Sequence, residues 1–321
     1  MCARSATTFF LMAIVTVTGI ARAEAQVPSW AKVSPAQAAA AKKLGVPVAL
    51  ENSVGMRFVL IPPGKFMMGS KESAAEVAAG CNMPNAQAGW FYDEQPRHEV
   101  TLTTAFYMTI HEVTQACYEA AVYPEPRKEN EKRLTDEYTD EFKGANHPVV
   151  MVAFNQAEAF CKTLGGLEAE KGRVYSLPTE AQWEYACRAG TETPFAFGKT
   201  ISTSQANYHG GYTYGDGKKG ENREKSTPVG SLGVNAWGLY DMHGNVSEWC
   251  ADRYDKYGSA AETDPKGPAE GNQRVLRGGS WRSYPGACRS SFRLGGDAGA
   301  RTYNIGLRVC CALPTESDDA E

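Results

Sequence analysis

Several motifs that mark common enzyme classes are missing from this sequence of 321 residues. It has no CxxC pair, which argues against a zinc ribbon or a thioredoxin-type site. It has no GxSxG motif, so Ser280 is a poor candidate for a hydrolase nucleophile. Its five histidines form neither an HxH nor an HExxH pattern, which leaves no sequence support for a zinc hydrolase.

Strong net charge and long apolar runs are also scarce. The net charge is -4 at pH 7, so nothing indicates a nucleic-acid partner. Beyond residue 25, no apolar run reaches the roughly 20 residues that a membrane-spanning helix needs. The composition is that of a globular protein, and the length allows one large domain or two ordinary ones. The 32 glycines and 17 prolines predict many turns.

The first 25 residues have a different composition from the rest. Arg4 is followed by the apolar run TTFFLMAIVTVTGIA, and ARAEA then offers small-residue cleavage sites after Ala23 or Ala25. This pattern predicts a secretory signal peptide. A membrane anchor is the alternative, although the run is short for a span. We therefore expect an exported protein, either periplasmic or extracellular.

Export changes the interpretation of the nine cysteines. Cys2 lies in the leader, and the other eight form an even number in an oxidising compartment, where disulfides are the default expectation. Adjacent Cys310 and Cys311 cannot both point into one core from a strand. At least one of them is expected to have a separate partner or to be a free thiol. The partners of Cys81, Cys117 and Cys250 stay open.

The rest of the chain reads as a mixture of helices and short strands. SPAQAAAAKKLG predicts a short N-terminal helix or a linker, and MRFVLIPPGKFMMGS predicts two strands around a Pro-Pro-Gly turn. Helices are expected at 114–123, at 155–166 with Asn155 as N-cap, and after Thr179, which forms a capping box with Gln182. Residues 71–96 are interpreted as a loop. Beyond Gly190 no long helix is expected.

The stretch NAWGLYDMHGNVSEWCAD, residues 235–252, carries the richest chemistry. Asp241, Asn245 and Glu248 place oxygen atoms around Gly244, and converging oxygens on a tight turn suit calcium. The alternative is a turn with carboxylates on the surface. His243 has no second histidine or cysteine near it in sequence, so it is expected to be a surface residue rather than a metal ligand.

Seven blocks in a fixed order make the sequence recognisable. They are NSVGMRFVLIPPGKFMMGS, FYMTIHEVTQACYEAAV, HPVVMVAFNQAEAFC, YSLPTEAQWEYACRAGT, NAWGLYDMHGNVSEW, RVLRGGSW and NIGLRV. Over residues 51–313 they resemble the formylglycine-generating enzyme family, also called sulfatase-modifying factors. The resemblance implies one C-type-lectin-like α+β domain with few helices, short strands and much irregular structure. Together with the composition of the two ends, this gives a leader at 1–25, a linker or helix at 26–50, this domain at 51–314 and an acidic tail at 315–321.

The resemblance also implies calcium as a structural cofactor. Family members bind calcium in the turn described above, through positions that match Asp241 and Glu248 and the carbonyls of Gly244 and Val246. A second family site has a first ligand that matches Asn207. Its downstream partner is harder to align, and Asn222 is the candidate.

The family chemistry depends on two cysteines in the loop after Gly-Gly-Ser. They bind copper(I) as thiolates and oxidise a substrate cysteine to formylglycine. The second of them matches Cys288, but the first matches Ser283, and a hydroxyl cannot replace a thiolate on copper(I). Ser280 and Asn304 match active-site residues. The family's histidine, tyrosine and tryptophan in this pocket are replaced by Tyr284, Ala287 and Ser247, so copper is not an expected cofactor.

Cys288 has two interpretations. It could be a lone thiolate whose pKa is lowered by Arg289 and Arg282. It could instead be disulfide-bonded to Cys187, because the family partner of Cys187 falls at Arg293 here. The resemblance also pairs Cys161 with Cys310 or Cys311.

The sequence is compatible with two functions, one enzymatic and one of ligand binding. The first is an exported maturation factor that oxidises a secreted protein or a metabolite. The second is a non-catalytic, calcium-stabilised, lectin-like binding module whose 282–303 surface engages an unknown protein or small-molecule ligand. Its candidate contact residues are Arg282, Tyr284, Arg289 and Tyr303, types that are favoured at recognition surfaces. A third interpretation is a solvated surface with Arg293 and Arg308 in buried ion pairs. We expect a monomer.

Overall fold

The computed structural model describes residues 27–123, 128 and 131–313. The predicted leader and acidic tail lie outside these residues. Within them the helices are α1 (Pro35–Leu44), α2 (Ala74–Gly80), α3 (Gln115–Val122), α4 (Phe154–Leu167) and α5 (Glu180–Arg188). None of these helices has the length and apolar character that a membrane crossing requires.

The strands are short, as the resemblance implied. They are β1 (Ala49–Glu51), β2 (Arg57–Ile61), β3 (Gly64–Met68), β4 (Cys81–Asn82), β5 (His98–Leu102), β6 (Phe106–Thr109), β7 (Tyr175–Ser176), β8 (Thr213–Tyr214), β9 (Ser247–Arg253), β10 (Glu262–Thr263), β11 (Gln273–Arg277), β12 (Arg293–Asp297), β13 (Ile305–Gly306) and β14 (Cys310–Ala312). The predicted α+β class with one mixed domain is therefore confirmed.

The main core surrounds a five-stranded sheet of order β1-β2-β6-β14-β7. All four residues of β6 are buried, and β14 lies between β6 and β7. Adjacent residues of a strand face opposite sides of the sheet. Cys310 and Cys311 are nevertheless both buried, because protein covers both faces of this sheet.

The second large sheet has the order β12-β11-β9-β13. The segment that connects β11 to β12 contains Ser283 and Cys288, the positions that match the two family cysteines. Strands β11 and β12 are antiparallel, and the pairing of Arg277 with Arg293 closes the base of the connection between them. We call residues 278–292 the 278–292 loop. It contains one turn of 3-10 helix, Pro285–Cys288.

Three of the predicted helices form where local signals placed them. Ser34 caps α1 and Gly45 ends it in the left-handed conformation. Thr114 caps α3. Thr179 and Gln182 form the predicted capping box of α5, in which the Gln182 backbone N–H donates to Thr179 Oγ1 at 3.1 Å. No helix with α-helical geometry follows Gly190 in the part of the chain that the structure describes.

Two local predictions were wrong. Residues 71–96 are not a plain loop, because α2 forms there behind a capping box of Ser73 and Glu76. Helix α4 begins at Phe154 with Ala153 as N-cap rather than Asn155. The backbone N–H of Ala153 donates to Gln156 Oε1 at 3.0 Å, so the glutamine side chain replaces a capping Asn.

Buried ion pairs attach α5 to the base of the 278–292 loop. The carboxylate of Glu180 accepts hydrogen bonds from Arg293 Nε at 2.7 Å and from Arg293 Nη2 at 2.6 Å. Glu184 pairs with Arg277 of β11 and, at 2.8 Å, with Arg188 of its own helix. The guanidinium of Arg277 also donates to the carbonyl of Ser290 at 2.9 Å. These contacts fix the two ends of the loop against one helix face.

Candidate functional site

The 278–292 loop begins with two glycines whose backbones are left-handed, with φ of +89° at Gly278 and +70° at Gly279. A Cβ on Gly279 would lie 2.6 Å from the carbonyl oxygen of Ala287 and 2.7 Å from Cys288 Sγ. The loop therefore doubles back on itself at this point, and only glycine leaves room for the thiol.

Ser280 and Ser283 face each other within this turn. The Ser280 backbone N–H donates to Ser283 Oγ at 3.0 Å, and the two hydroxyl oxygens are 3.1 Å apart. The Ser283 backbone N–H donates to the Ser280 carbonyl at 2.9 Å. The Ser283 hydroxyl, at the position that the resemblance assigns to the first family cysteine, is thus engaged by its own turn.

Cys288 lies against the same turn and is fully buried. Burial raises the pKa of its thiol to about 12, while the Ser280 backbone and the charge of Arg289 act in the opposite direction. The structure therefore brings Ser280, Ser283 and Cys288 together, as the resemblance implied. The predicted low-pKa thiolate is wrong, because desolvation outweighs the nearby positive charge.

Arg289 is not a surface residue, so its prediction as a ligand contact is wrong. Its side chain is fully buried, and Nη1 donates to Glu94 Oε2 at 2.8 Å while Nη2 contacts the other carboxylate oxygen. Glu94 neutralises the charge that was expected to act on Cys288. The interpretation that some arginines of this region form buried ion pairs is correct for Arg293 with Glu180 and for Arg308 with Glu248.

His243 is buried as well, which corrects its expected surface position. Its Nδ1 donates to the Cys288 carbonyl at 2.8 Å, and its Nε2 accepts from the Ala196 backbone N–H at 3.0 Å. Burial lowers its pKa to about 4, so the ring is neutral. Its hydrogen bond to Cys288 connects the 241–248 turn to the 278–292 loop.

All eight cysteines of the described residues are free thiols in this structure. Cys187 Sγ lies 3.6 Å from Ser290 Oγ and 3.7 Å from His243 Nε2. Cys161 is near enough to Cys310 to raise the pKa of that thiol, after the larger effect of burial. The pairings of Cys187 with Cys288 and of Cys161 with Cys310 or Cys311 stay predictions.

The 241–248 turn packs tightly against Asn207. Gly244 has φ of +126°, and a Cβ there would lie 2.3 Å from the Asn207 carbonyl oxygen. The Asn245 backbone N–H donates to that carbonyl at 2.7 Å. Asp241 Oδ2 accepts from the Gly230 backbone N–H at 2.6 Å, and burial raises the pKa of this carboxyl to about 6.

Three buried carboxylates share one arginine beside this turn. The carboxylate of Glu248 accepts hydrogen bonds from Nε and Nη2 of Arg308 at 2.8–3.1 Å. It also accepts one from the indole N–H of Trp183 at 2.7 Å. Glu112 is fully buried, and neither of its oxygens accepts a hydrogen bond from an N–H group or a hydroxyl. Among the described residues, its side chain hydrogen-bonds only with the neighbouring carboxyl of Asp241, which requires a proton on one of the two groups. Burial raises the pKa of Glu112 well above its ordinary value, and the charges of Asp241 and Glu248 add to this rise.

Sequence reasoning missed Glu112. The available signal was a charged residue in the otherwise apolar and β-branched run FYMTIHEVT, at a position next to a strand end. A buried carboxylate without partners is costly unless it is protonated or meets a cation. Its two oxygens, which have no N–H or hydroxyl donor, therefore mark this cluster as the place where positive charge is lacking.

The second predicted calcium position gives a mixed result. Asn207 Oδ1 is buried without a partner, while its Nδ2 donates to the Lys225 carbonyl at 2.9 Å and to Asn245 Oδ1 at 3.1 Å. Asn222 forms its side-chain hydrogen bond with Glu224 at 3.2 Å instead. The structure thus places a free amide oxygen at Asn207 but provides no contact that joins it to Asn222.

These donors fit calcium better than a softer metal. The oxygens here that lack an N–H or hydroxyl donor belong to Glu112 and Asn207, and hard oxygen ligands are those that calcium prefers. No group of three or more His, Cys, Asp or Glu side chains suited to one metal ion occurs among residues 27–123, 128 and 131–313. A cation here would therefore need backbone carbonyls, as the prediction for Gly244 and Val246 requires.

Three of the four predicted contact residues are at least partly exposed. Arg282 is exposed. The Tyr284 ring stacks on His209 at 6.0 Å and meets Tyr212 edge to face at 4.6 Å. The Tyr303 ring stacks on Phe142 at 4.5 Å. These contacts hold two of the predicted contact residues in fixed positions.

Asn304 is the remaining candidate. Its carbonyl accepts from the Ser247 backbone N–H at 2.8 Å, and its side chain is half-buried. The indole N–H of Trp281 donates to the neighbouring Tyr303 carbonyl at 3.1 Å. The loop and the Asn304 segment are therefore directly joined, although no hydrogen bond links Asn304 itself to Ser280.

Known proteins resemble this chain over most of its described length. The serine/threonine-protein kinase pkn1 of Chlamydia caviae is 34% identical over 268 residues, which are 78% of this chain and 37% of the kinase. The formylglycine-generating enzyme of Bos taurus is 29% identical over 313 residues, covering 81% of this chain and 76% of that enzyme. The chain spans between 34% and 46% of the length of the first curated relatives it matches.

A solved structure and a family model agree with these relatives. PvdO from Pseudomonas aeruginosa superimposes with a TM-score of 0.63 at 27% identity, covering 83% of this chain and 98% of PvdO. The sulfatase-modifying factor enzyme 1-like domain matches residues 46–313. The chain therefore belongs to the formylglycine-generating enzyme family, as a sulfatase-modifying factor enzyme 1-like domain.

Proposed function

We propose that this chain is an exported binding protein built on the formylglycine-generating enzyme fold, without the copper oxidase chemistry of that family. In this proposal calcium stabilises the domain, and the exposed residues of the 282–303 surface engage a protein or a small molecule. The observation that carries the proposal is the chemistry of Ser283 and Cys288, which occupy the positions of the two copper-binding cysteines of the family.

These two side chains do not fit copper(I). Copper(I) prefers soft thiolate ligands, and the hydroxyl of Ser283 is a hard ligand. Its oxygen already accepts a hydrogen bond from the Ser280 backbone N–H at 3.0 Å. The pKa of Cys288 is raised to about 12 by burial, so its thiolate is rare at neutral pH. One hydroxyl and one buried thiol cannot supply the two-thiolate site.

Calcium would have a structural role in the proposed protein. Asp241 and Glu248, with the carbonyls of Gly244 and Val246, would hold it in the turn, and Asn207 has a free oxygen on the adjacent segment. The positive charge would offset the excess of buried carboxylates around Arg308. The neighbouring loop would be stiffened, since His243 connects this turn to the Cys288 carbonyl.

Ligand contact is assigned to Arg282, Tyr284 and Tyr303. Arg282 and Tyr284 are exposed, and aromatic contacts hold Tyr284 and Tyr303 in place before any ligand arrives. Such preorganisation reduces the entropy that binding costs.

A second candidate function is an oxidative maturation factor. It is favoured by the position of Cys288, whose thiol lies beside Ser280 in the same turn that the family uses. This function needs an oxidising centre other than the two-thiolate copper site.

Copper(I) competition against a chromophoric chelator tests the proposal. The wild-type protein is expected to leave copper(I) with the chelator. The Ser283→Cys variant should bind it at least about tenfold more tightly, a difference of about 1.4 kcal/mol, because it restores a second sulfur. Tight copper(I) binding by the wild type would overturn the binding proposal and favour the oxidase. The Ser204→Cys variant, with a new thiol on an exposed residue outside the 278–292 loop, controls for nonspecific thiol binding.

A further inference from the structure

A cavity of about 300 Å³ lies beside the 3-10 helix of the 278–292 loop. We call it the aromatic pocket. Its walls are mainly apolar and come from three parts of the chain that are far apart in sequence. The large apolar and aromatic side chains of the lining include Trp90, Phe91, Tyr254, Tyr284, Phe292 and Leu294. None of Ser280, Ser283 and Asn304 belongs to the lining, whereas Tyr284 and Ala287 do. The aromatic pocket therefore adjoins the cluster at the family cysteine position and extends away from its two serines.

The apolar surface at this pocket is unusually exposed for a folded domain. Trp90 is 48% exposed, Leu294 is 51% exposed and Tyr284 is 36% exposed. Only eight large hydrophobic side chains of the described residues are exposed, and these three line one cavity. Clustered exposed apolar residues around a concave site indicate a binding function more strongly than scattered ones.

The pocket also carries one uncompensated negative group. Asp93 lines it, and one of its carboxylate oxygens accepts from the Tyr254 hydroxyl. The other oxygen has no hydrogen bond, and Asp93 forms no ion pair with the residues that the structure describes. This oxygen is available to a donor or a cation that enters the pocket.

The nearest positive charge on the wall is already neutralised. Arg293 binds Glu180 through two hydrogen bonds at 2.6–2.7 Å. Its remaining Nη1 donates to the backbone carbonyls of Asp93 and Asp255. Since this guanidinium has its partners, the charge that a ligand would meet at the pocket is the carboxylate of Asp93.

We propose that the aromatic pocket binds a compact ligand that carries an aromatic ring and a protonated amine. The ring would pack between the aromatic walls, since ring pairs prefer edge-to-face and offset contacts. The ammonium would pair with Asp93 and meet the faces of the surrounding rings. A volume of about 300 Å³ is at the small end of ligand sites and suits one ring with a short arm. The inference rests on the proposed binding function and adds its ligand class.

Three ligands of similar size and different charge test this inference. Phenethylamine, phenylethanol and phenylpropionate are titrated into the full chain, with binding followed by ligand-observed NMR. Phenethylamine should bind about two- to fivefold more tightly than phenylethanol, the range of a solvent-accessible ion pair. Phenylpropionate should bind most weakly. No binding by any of the three, or equal binding of the cation and the anion, would overturn the inference.

Variants separate the charge from the apolar walls. Asp93→Asn keeps the acceptor for Tyr254 and should remove the preference for phenethylamine while ring binding persists. Leu294→Ala should weaken all three ligands. Leu167→Ala, which truncates an exposed leucine outside the pocket, should change none of them. A negative result with these ligands would leave the copper(I) result unchanged. The proposed ligand class and the proposed loss of copper chemistry can therefore be disproved independently.

Discussion

Two buried carboxylate clusters in this domain are constructed in opposite ways. In the first, which we call the α5 cluster, Glu180 and Glu184 meet Arg188, Arg277 and Arg293. In the second, the turn cluster, Glu112, Asp241 and Glu248 share Arg308. The α5 cluster has three arginines for these two glutamates and the neighbouring Asp252, whereas the turn cluster has one arginine for three carboxylates.

The difference appears directly in two buried glutamates. Burial acts to raise the pKa of Glu184, but Arg188 and Arg277 prevail and hold it below its ordinary value. Burial raises the pKa of Glu112 too, and there the neighbouring carboxylates reinforce the rise. The α5 cluster is complete within the chain, whereas the turn cluster needs protons or a cation.

The largest expected effect comes from breaking the complete cluster. Glu184→Gln removes the charge that compensates Arg188 and Arg277, and it should lower the free energy of unfolding by about 3–5 kcal/mol. Urea unfolding in calcium-containing buffer measures this loss. Arg57→Met, which breaks an exposed pair with Glu51, is the control and should cost less than about 1 kcal/mol. Equal losses would mean that burial of the pair is unimportant.

The next effect is a pH dependence at the N-terminus of α5. Asp252 accepts from the Glu180 backbone N–H at 2.8 Å, and burial, with the charge of Glu180, raises its pKa to about 7. The folded chain then binds the proton more tightly than the unfolded chain. Its contribution to stability is present at low pH and is lost as the pH rises from 3.8 to about 7.

Unfolding titrations across this pH range measure the contribution. The loss should be on the order of 4 kcal/mol in the wild type. Asp252→Asn keeps an acceptor for the Glu180 N–H and should remove that part of the slope. An unchanged slope in the variant would place the titrating group elsewhere.

The smallest effect is expected at Glu112, where the substitution should not destabilise the protein appreciably. Glu112→Gln is the same substitution as Glu184→Gln, at an equally buried position. In calcium-free buffer it should leave the free energy of unfolding unchanged within about 1 kcal/mol or raise it, because it removes an uncompensated charge. The stability gained on adding calcium should be smaller than in the wild type. A loss as large as that of Glu184→Gln would show that Glu112 is already compensated.

Local signals in the sequence explain the parts of the fold that could be predicted. The Thr179 and Gln182 capping box gave the start of α5, and the seven blocks gave the family. The same rule, applied to Ser73 and Glu76, would have found α2 in the region interpreted as a loop. These elements depend on residues a few positions apart.

The errors have a common physical cause in contacts between distant residues. Arg289 was placed on the surface because its partner Glu94 lies 195 residues away. His243 was placed there because Ala196 and the Cys288 carbonyl are equally invisible from its sequence neighbours. The missing positive charge around Glu112 becomes apparent only when β6, the turn and Arg308 meet. Chain order does not reveal which buried charges find partners.

Calcium titration of the calcium-stripped wild-type protein tests the central contrast most directly. Calorimetry should show saturable binding, and unfolding should shift by about 2.7 kcal/mol at a hundredfold excess over the dissociation constant. Absence of both heat and stabilisation would contradict the account, because the turn cluster would then be complete without a cation.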